Sequence, residues 1–294
     1  MSRPEGHLLL PGLLEARVQG AIPSRLERLL ARADRVAMAT PPETRFCHLL
    51  GLDDTPVAAL TALADGLDGE HGGWLRCDPV SLLANRDRLV LFDPTPSLTD
   101  TDAAALLERL NAHLADDGLR LHAPHPQRWY LCVPQAPALA ATSPLDAVGS
   151  DRLPRFGGDD AALWQRRFTE LQMLLHDHPV NAAREAQGRP AINSLWPWGS
   201  GSFSRPAALP GWRLLGDHPL VEGARSAFGE DDAGGMLGLV ELRSAAPDWA
   251  WLEETVVAPA HAALSQGGLQ RLRLYPGDGH AWSLTRLGLL RFWR

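Results

Sequence analysis

The chain predicts an α/β fold, a central sheet flanked by helices, and three observations carry that prediction. Short apolar runs of strand length recur along the 294 residues: His7 to Leu14, Met236 to Leu242 and Leu269 to Tyr275. Amphipathic segments at three- and four-residue spacing stand between them. A chain of this length can bury one large core or two modest ones. Apolar residues make up 45% and charged residues 21%, an ordinary balance for a globular protein.

The elements follow in order. His7 to Leu14 reads as a strand that ends in the Pro11-Gly12 turn. Ser24 and Glu27 form a capping-box pair ahead of the Leu26, Leu29, Leu30, Ala33 stripe. Helices are expected over Glu43 to Leu50, stopped at Gly51, and over Val57 to Leu67. Trp74 to Cys77 and Arg88 to Phe92 read as strands. Thr99 caps a helix whose Ala103, Leu106, Leu107, Leu110 and Leu114 share one face, and Gly118 ends it. Leu119 to His122 and Trp129 to Val133 are two further strands, and Pro134 to Gly158 is a connector.

Residues 178–201 carry the most specific pattern. A helix precedes them, with Leu163, Arg167, Leu171, Leu174 and Leu175 on one stripe. Pro179 interrupts it. Asn181 to Gln187 makes a second short helix, closed by Gly188 as a left-handed stop. Ile192 to Trp198 reads as an apolar strand that runs into Gly199-Ser200-Gly201, where a free backbone could donate N–H groups to an anion. Farther on, Asp217-His218-Pro219 opens a helix to about Phe228, Gly229 to Gly235 is an acidic loop, Trp249 to Leu264 is a long helix, and Ala281 to Trp293 holds a last strand or hairpin.

Composition excludes several functions. All 28 basic residues are arginine, the net charge is -7 and no long basic run occurs, so no nucleic-acid partner is expected. Cys47, Cys77 and Cys132 lie far apart without metal-ligand spacing, which predicts reduced thiols in a cytoplasmic protein. The Leu8-Leu9-Leu10 run is too short for a membrane span or a signal peptide. No Gly-x-Ser-x-Gly elbow or phosphate-binding Walker loop is present. His176-Asp177-His178 could offer two metal ligands but has no third nearby, so a helix-end role is the reading.

The run His178-Pro179-Val180-Asn181, Arg184, Gly188, Ile192-Asn193 and Gly199-x-Gly201 resembles a segment of archaeal-type cofactor-independent phosphoglycerate mutases, of the alkaline-phosphatase superfamily. It is similar also to a bacterial family described as phosphoglycerate mutase-related or RpfE-type regulatory. The resemblance implies an alkaline-phosphatase-like sheet in a discontinuous core, residues 1–73 and 190–294. It implies an inserted α+β lid over 74–140 and a connector over 141–189 returning to the core. It also implies two divalent metals and a serine or threonine nucleophile.

Those groups are replaced here. Where the resemblance expects Asp-Gly after the first strand, the chain has Pro11-Gly12. At the nucleophile position stands Pro42, followed by Glu43 and Thr44. The ligand strand offers only Asp248, and the final Gly-Asp-His becomes Gly277-Asp278-Gly279-His280. The expectation is therefore a mutase-like protein without metal catalysis or cofactor, acting by binding a phosphorylated metabolite or a protein partner. Arg184, Asn181, Asn193 and Ser200 are the candidate binding residues, since a guanidinium fork and neutral donors suit an anion. The competing expectation for Arg184 and Asn181 is that they tie helix to strand by internal hydrogen bonds. Two alternatives stand beside the binding reading. One is a working mutase or phosphohydrolase with manganese or zinc, using Glu43, Asp248, Asp278 and His280. The other is a structural subunit.

Overall fold

The computed structural model describes residues 4–52, 54–67, 72–85, 88–148, 153–201, 211–230, 235–243 and 247–291. The expected acidic loop around 231–234 and the C-terminal three residues lie outside them.

The chain opens with β1 (Glu5–Leu9), α1 (Leu13–Val18), α2 (Ser24–Arg32), β2 (Asp34–Ala37) and α3 (Pro42–Leu49). The first strand is thus shorter than expected, because Gly12 turns at φ 92 and a helix starts at Leu13. Ser24 is not a cap: Pro23 holds that position, and Glu27 instead takes the Arg17 guanidinium at 2.6 Å. β2 was not foreseen, since all four of its residues are exposed and carry no apolar pattern.

Next come α4 (Val57–Ala64), β3 (Gly73–Asn85), β4 (Arg88–Asp93), α5 (Asp100–Leu114), β5 (Arg120–His125) and β6 (Arg128–Val133). Thr99 caps α5 as expected, its side chain accepting from Asp102 N. The expected connector holds short β7 (Leu139–Ala140), α6 (Pro144–Ala147) and β8 (Arg155–Phe156). α7 (Ala161–His176) buries Trp164, Phe168, Leu171 and Leu175, so its core stripe is rotated from the one expected and Leu174 lies at its margin. α8 (Pro179–Ala186) starts on Pro179 itself, where a missing N–H costs nothing. Gly188 closes it at φ 70. β9 (Ser194–Gly201) follows.

The chain ends with β10 (Trp212–Leu215), α9 (Pro219–Phe228), β11 (Gly235–Leu239), α10 (Trp249–Leu252), α11 (Ala258–Gln266), β12 (Arg271–Tyr275) and β13 (His280–Thr285). A π-turn over Glu253–Val257 separates α10 from α11, so the expected long helix carries a bulge just before Pro259, which has no N–H to continue the regular ladder.

Contacts divide the chain into two units, Met1–Asp53 with Arg205–Arg294, and Asp54–Ser204. The first holds a six-stranded sheet in the order β10-β11-β1-β12-β13-β2. Its first four strands are mutually parallel and the last two join antiparallel. Leu8, Leu10, Leu272 and Leu274 pack on one face with α1, α2 and the α10–α11 helix. This is a mixed α/β sheet flanked by helices.

The second unit is built on β3, which pairs β6 near its start, β9 along its middle and β4 at its end. β5 completes the sheet beyond β6. Residues alternate across it. Leu75, Cys77, Trp129 and Leu131 bury against α5 and α7, while Trp74 and Tyr130 meet α4 on the other face. Residues 54–73 and 190–204, expected in the core domain, therefore belong to this unit. α4 packs on β3 and β9, and β9 is a strand of the same sheet.

Candidate functional site

In an open α/β sheet, ligands meet the carboxyl ends of the parallel strands. In the first unit those ends are Leu215, Leu239, Leu9 and Tyr275. A cleft of about 500 Å³ opens at the β10 and β11 ends, lined by Asp217, His218, Glu241, Asp248 and Trp251 among apolar residues. Asp248 is one of the expected candidates. Asp217, His218 and Glu241 were not singled out, although an Asp-His-Pro at a strand end is a readable signal.

Glu241, Asp248 and Asp278 along this edge each have a resident partner. Glu241 takes the Arg243 guanidinium at 2.9 and 2.7 Å and the Arg243 N–H at 2.8 Å. Asp248 caps α10, accepting from Trp251 N at 2.9 Å. Asp278, on the β12–β13 turn, takes Arg35 Nη2 at 3.0 Å and its own turn's His280 N–H at 3.0 Å. The same Arg35 nitrogen lies 3.0 Å from His280 Nδ1. His218 caps α9 through Nδ1, accepting from Leu220 N at 3.1 Å. Glu43 does not line the cleft; it is buried in the first turn of α3, where it adds to burial in pushing the Cys47 thiol up.

Pro11-Gly12 sits between the two flanks of the edge. Pro11 C=O accepts from Leu242 N at 3.0 Å, and Gly12 N–H donates to Pro276 O at 3.2 Å. A Cβ on Gly12 would stand 2.7 Å from Arg243 Cγ, so glycine is required there.

The four expected binding residues all lie in the second unit. Asn181 is 2% exposed. It donates to Leu175 O and Ile192 O and accepts from Ile192 N, at 2.7, 2.8 and 2.8 Å. Arg184, 1% exposed, donates to Pro190 O at 2.9 Å and Ser97 O at 2.7 Å. Asn193 pairs with both main-chain groups of Leu82 at 2.8 Å. Ser200 donates to Pro137 O at 2.7 Å. Gly199 and Gly201 do not frame an anion loop. They belong to β9, and a Cβ on Gly201 would stand 2.9 Å from Pro56 Cα, ahead of α4. His178 caps α8, Nδ1 accepting from Val180 N at 3.2 Å, while His176 lines a separate groove.

One polar cluster escaped the sequence reading. Arg76 stacks between Tyr130 and Trp198 at 5.1 and 5.0 Å and grips Asp78 at 2.7–3.0 Å. Asp78 also accepts from Trp198 Nε1 at 2.7 Å and Trp129 N at 3.2 Å. Tyr130 Oη donates to Asp65 at 2.6 Å, and Arg128 binds the same carboxylate. Burial works against the Arg76 charge, and Asp78, Tyr130 and Asp65 together more than offset that, so its pKa is raised. The signal was an Arg-x-Asp pair inside an apolar strand, which puts both charges on one face.

No protein-family model matches the sequence, and no curated protein sequence matches it. Two solved structures are similar over nearly the whole chain. The cofactor-independent phosphoglycerate mutase from Thermoplasma acidophilum shares 17% identity at a TM-score of 0.41, covering 97% of this chain and 90% of its own. The PH0037 protein from Pyrococcus horikoshii shares 13% identity at a TM-score of 0.47, covering 96% and 87%.

The paired metals implied by the sequence resemblance can be tested on the donors present. Among the described residues no three His, Cys, Asp or Glu side chains group as ligands. Pro11 brings no donor to the end of β1, and arginines already neutralise Glu241 and Asp278. This donor set does not fit a divalent pair. Among the described residues no helix is long and apolar enough to cross a membrane.

Proposed function

We propose that this chain works by binding a protein partner and has no two-metal phosphoryl-transfer chemistry. The observation that carries the reading is the matching of Glu241, Asp248 and Asp278 to Arg243, the Trp251 N–H and Arg35. A catalytic metal would have to displace those partners before it met a nucleophile. A phosphorylated ligand is disfavoured in the cleft, which is lined by three carboxylates and no arginine. It is disfavoured at Arg184 too, whose donors serve its own unit's carbonyls. A protein partner is favoured by apolar side chains left in solvent on the second unit: Leu83, Leu89, Phe92 and Met173. A regulatory role, as the sequence resemblance implies, fits a protein of this kind.

The test has two arms. Purified protein is loaded with manganese or zinc, desalted, and its metal content measured; turnover of p-nitrophenyl phosphate and 3-phosphoglycerate is then assayed. Substoichiometric metal and no turnover are expected. Two equivalents of metal with turnover would establish the enzyme and sink the binding reading. In the second arm, thermal shift with 3-phosphoglycerate should be flat, whereas true binding at a hundred times Kd would add about 2.7 kcal/mol.

A further inference from the structure

We infer that the second unit carries a groove for an amphipathic α-helix of a partner protein, lying antiparallel to α7. The inference rests on the binding reading above and says where binding occurs.

Two cavities of about 360 and 300 Å³ adjoin along α7, sharing Leu82 and Gln172 in their linings, and Gln172 Nε2 donates to Ser194 Oγ at 2.8 Å where they meet. Gln165, Thr169, Gln172 and His176 line them from the helix side. Their spacing of four, three and four residues is the spacing of a helix–helix seam. The neighbouring stripe of α7, Trp164, Phe168, Leu171 and Leu175, about 100° round the helix, is spent in the core. From Gln165 to His176 the seam runs about 16 Å, three helical turns. Its main-chain groups are bonded within α7, so that wall offers an incoming segment side chains at helical spacing and no strand to extend. Met173 and Leu89, 67% and 43% exposed, flank the groove as apolar anchors.

Charge sets the orientation. Asp177 and the carboxyl end of α7 make one end of the groove negative, and Arg155 makes the other positive. Among the described residues neither Asp177 nor Arg155 has a partner of its own. The positive amino end of a bound helix therefore lies at Asp177, and its carboxyl end, with an acidic side chain, lies at Arg155. Apolar residues at i, i+3 or i+4, and i+7 would fill the groove.

The probe is a phage-displayed library of 14-residue peptides, selected on the full-length protein. Selected sequences should carry helical apolar spacing with acids toward the carboxyl end. Met173→Asp and Leu89→Asp alter exposed side chains, so each variant should melt like wild type yet bind selected peptides at least tenfold more weakly. Arg155→Glu should weaken them similarly, and peptides with the terminal acid changed to lysine should regain affinity for that variant. Extended or proline-rich selections, no enrichment, or binding indifferent to Met173→Asp would each overturn the inference. So would a wild-type dimer that Met173→Asp dissociates, since a second copy would then cover the groove. Metal-dependent turnover would sink the binding reading, whereas a failed selection without turnover would sink only the groove.

Discussion

Arg184 shows how far one side chain's surroundings outrank its chemistry. An arginine in a specific motif invites an anion, but here it is enclosed and holds the carbonyls of Ser97 and Pro190. Arg184→Ala should cost about 2–4 kcal/mol in urea unfolding, because two buried carbonyls lose their donor. Asn181→Ala should cost a similar amount, and neither change should alter peptide binding. His7 gives a prediction of the opposite kind, visible only with pH. It is buried in β1 with Nδ1 2.8 Å from Tyr275 Oη. Glu5, Arg273, Arg45 and Trp212 complete its surroundings. Burial, with Arg273 adding to it, holds its pKa down to about 4. The unfolded chain, near 6.5, binds that proton more readily, so stability should fall as pH drops from about 6.5 and level off below about 4. The loss is roughly 3 kcal/mol at most. Melting curves across that range should show the decline in wild type and a smaller one in His7→Gln; equal declines would clear His7 of the effect.

At the scale of elements, the buried Arg76–Asp78 pair pins three strands together. Arg76 and Asp78 come from β3, Tyr130 and the Trp129 N–H from β6, and Trp198 from β9. Arg76→Met should therefore cost about 3–5 kcal/mol, since it leaves the Asp78 carboxyl in the interior without its counter-charge, held only by the Trp198 and Trp129 N–H groups. The double variant Arg76→Met, Asp78→Leu should recover much of that loss in the same denaturation series, and a double variant as weak as the sum of the singles would refute the coupling. Such pins are what the sequence hides. The regular pieces were legible: the Leu106, Leu110 and Leu114 ladder of α5, its Thr99 cap and the His-Pro start of α9 form as their local patterns dictate. β2 was not legible, because an exposed edge strand has no apolar period to show. Nor was the use of Gly199 and Gly201. Glycines that admit a neighbouring chain and glycines that cradle an anion look alike until the neighbour, here Pro56 and Val57, is in place. The sequence reading named Asp248 and Asp278; the Asp248 bond to the Trp251 N–H is a local cap, whereas Asp278 meets Arg35 through a long-range pairing that local spacing does not encode.

For the whole molecule, connectivity decides what can fold alone. Every strand of the second unit, from β3 to β9, pairs within residues 54–204, and its helices α5 and α7 bury their apolar faces on that same sheet. The first unit is different. β1 lies between β11 and β12 and bonds to both, so the sheet's centre comes from the first residues of the chain and its flanks from the last. A fragment covering 205–294 would lack that central strand and leave two parallel strands without a common neighbour, exposing main-chain groups that need pairing. The 54–204 fragment should accordingly express as a folded protein with a cooperative urea transition and dispersed amide resonances, while 205–294 alone should remain unfolded. Adding a peptide of residues 1–53 to the second fragment should restore strand signal in circular dichroism, because it returns β1 and β2. A 54–204 fragment without a cooperative transition would mean that its sheet depends on chain outside those bounds.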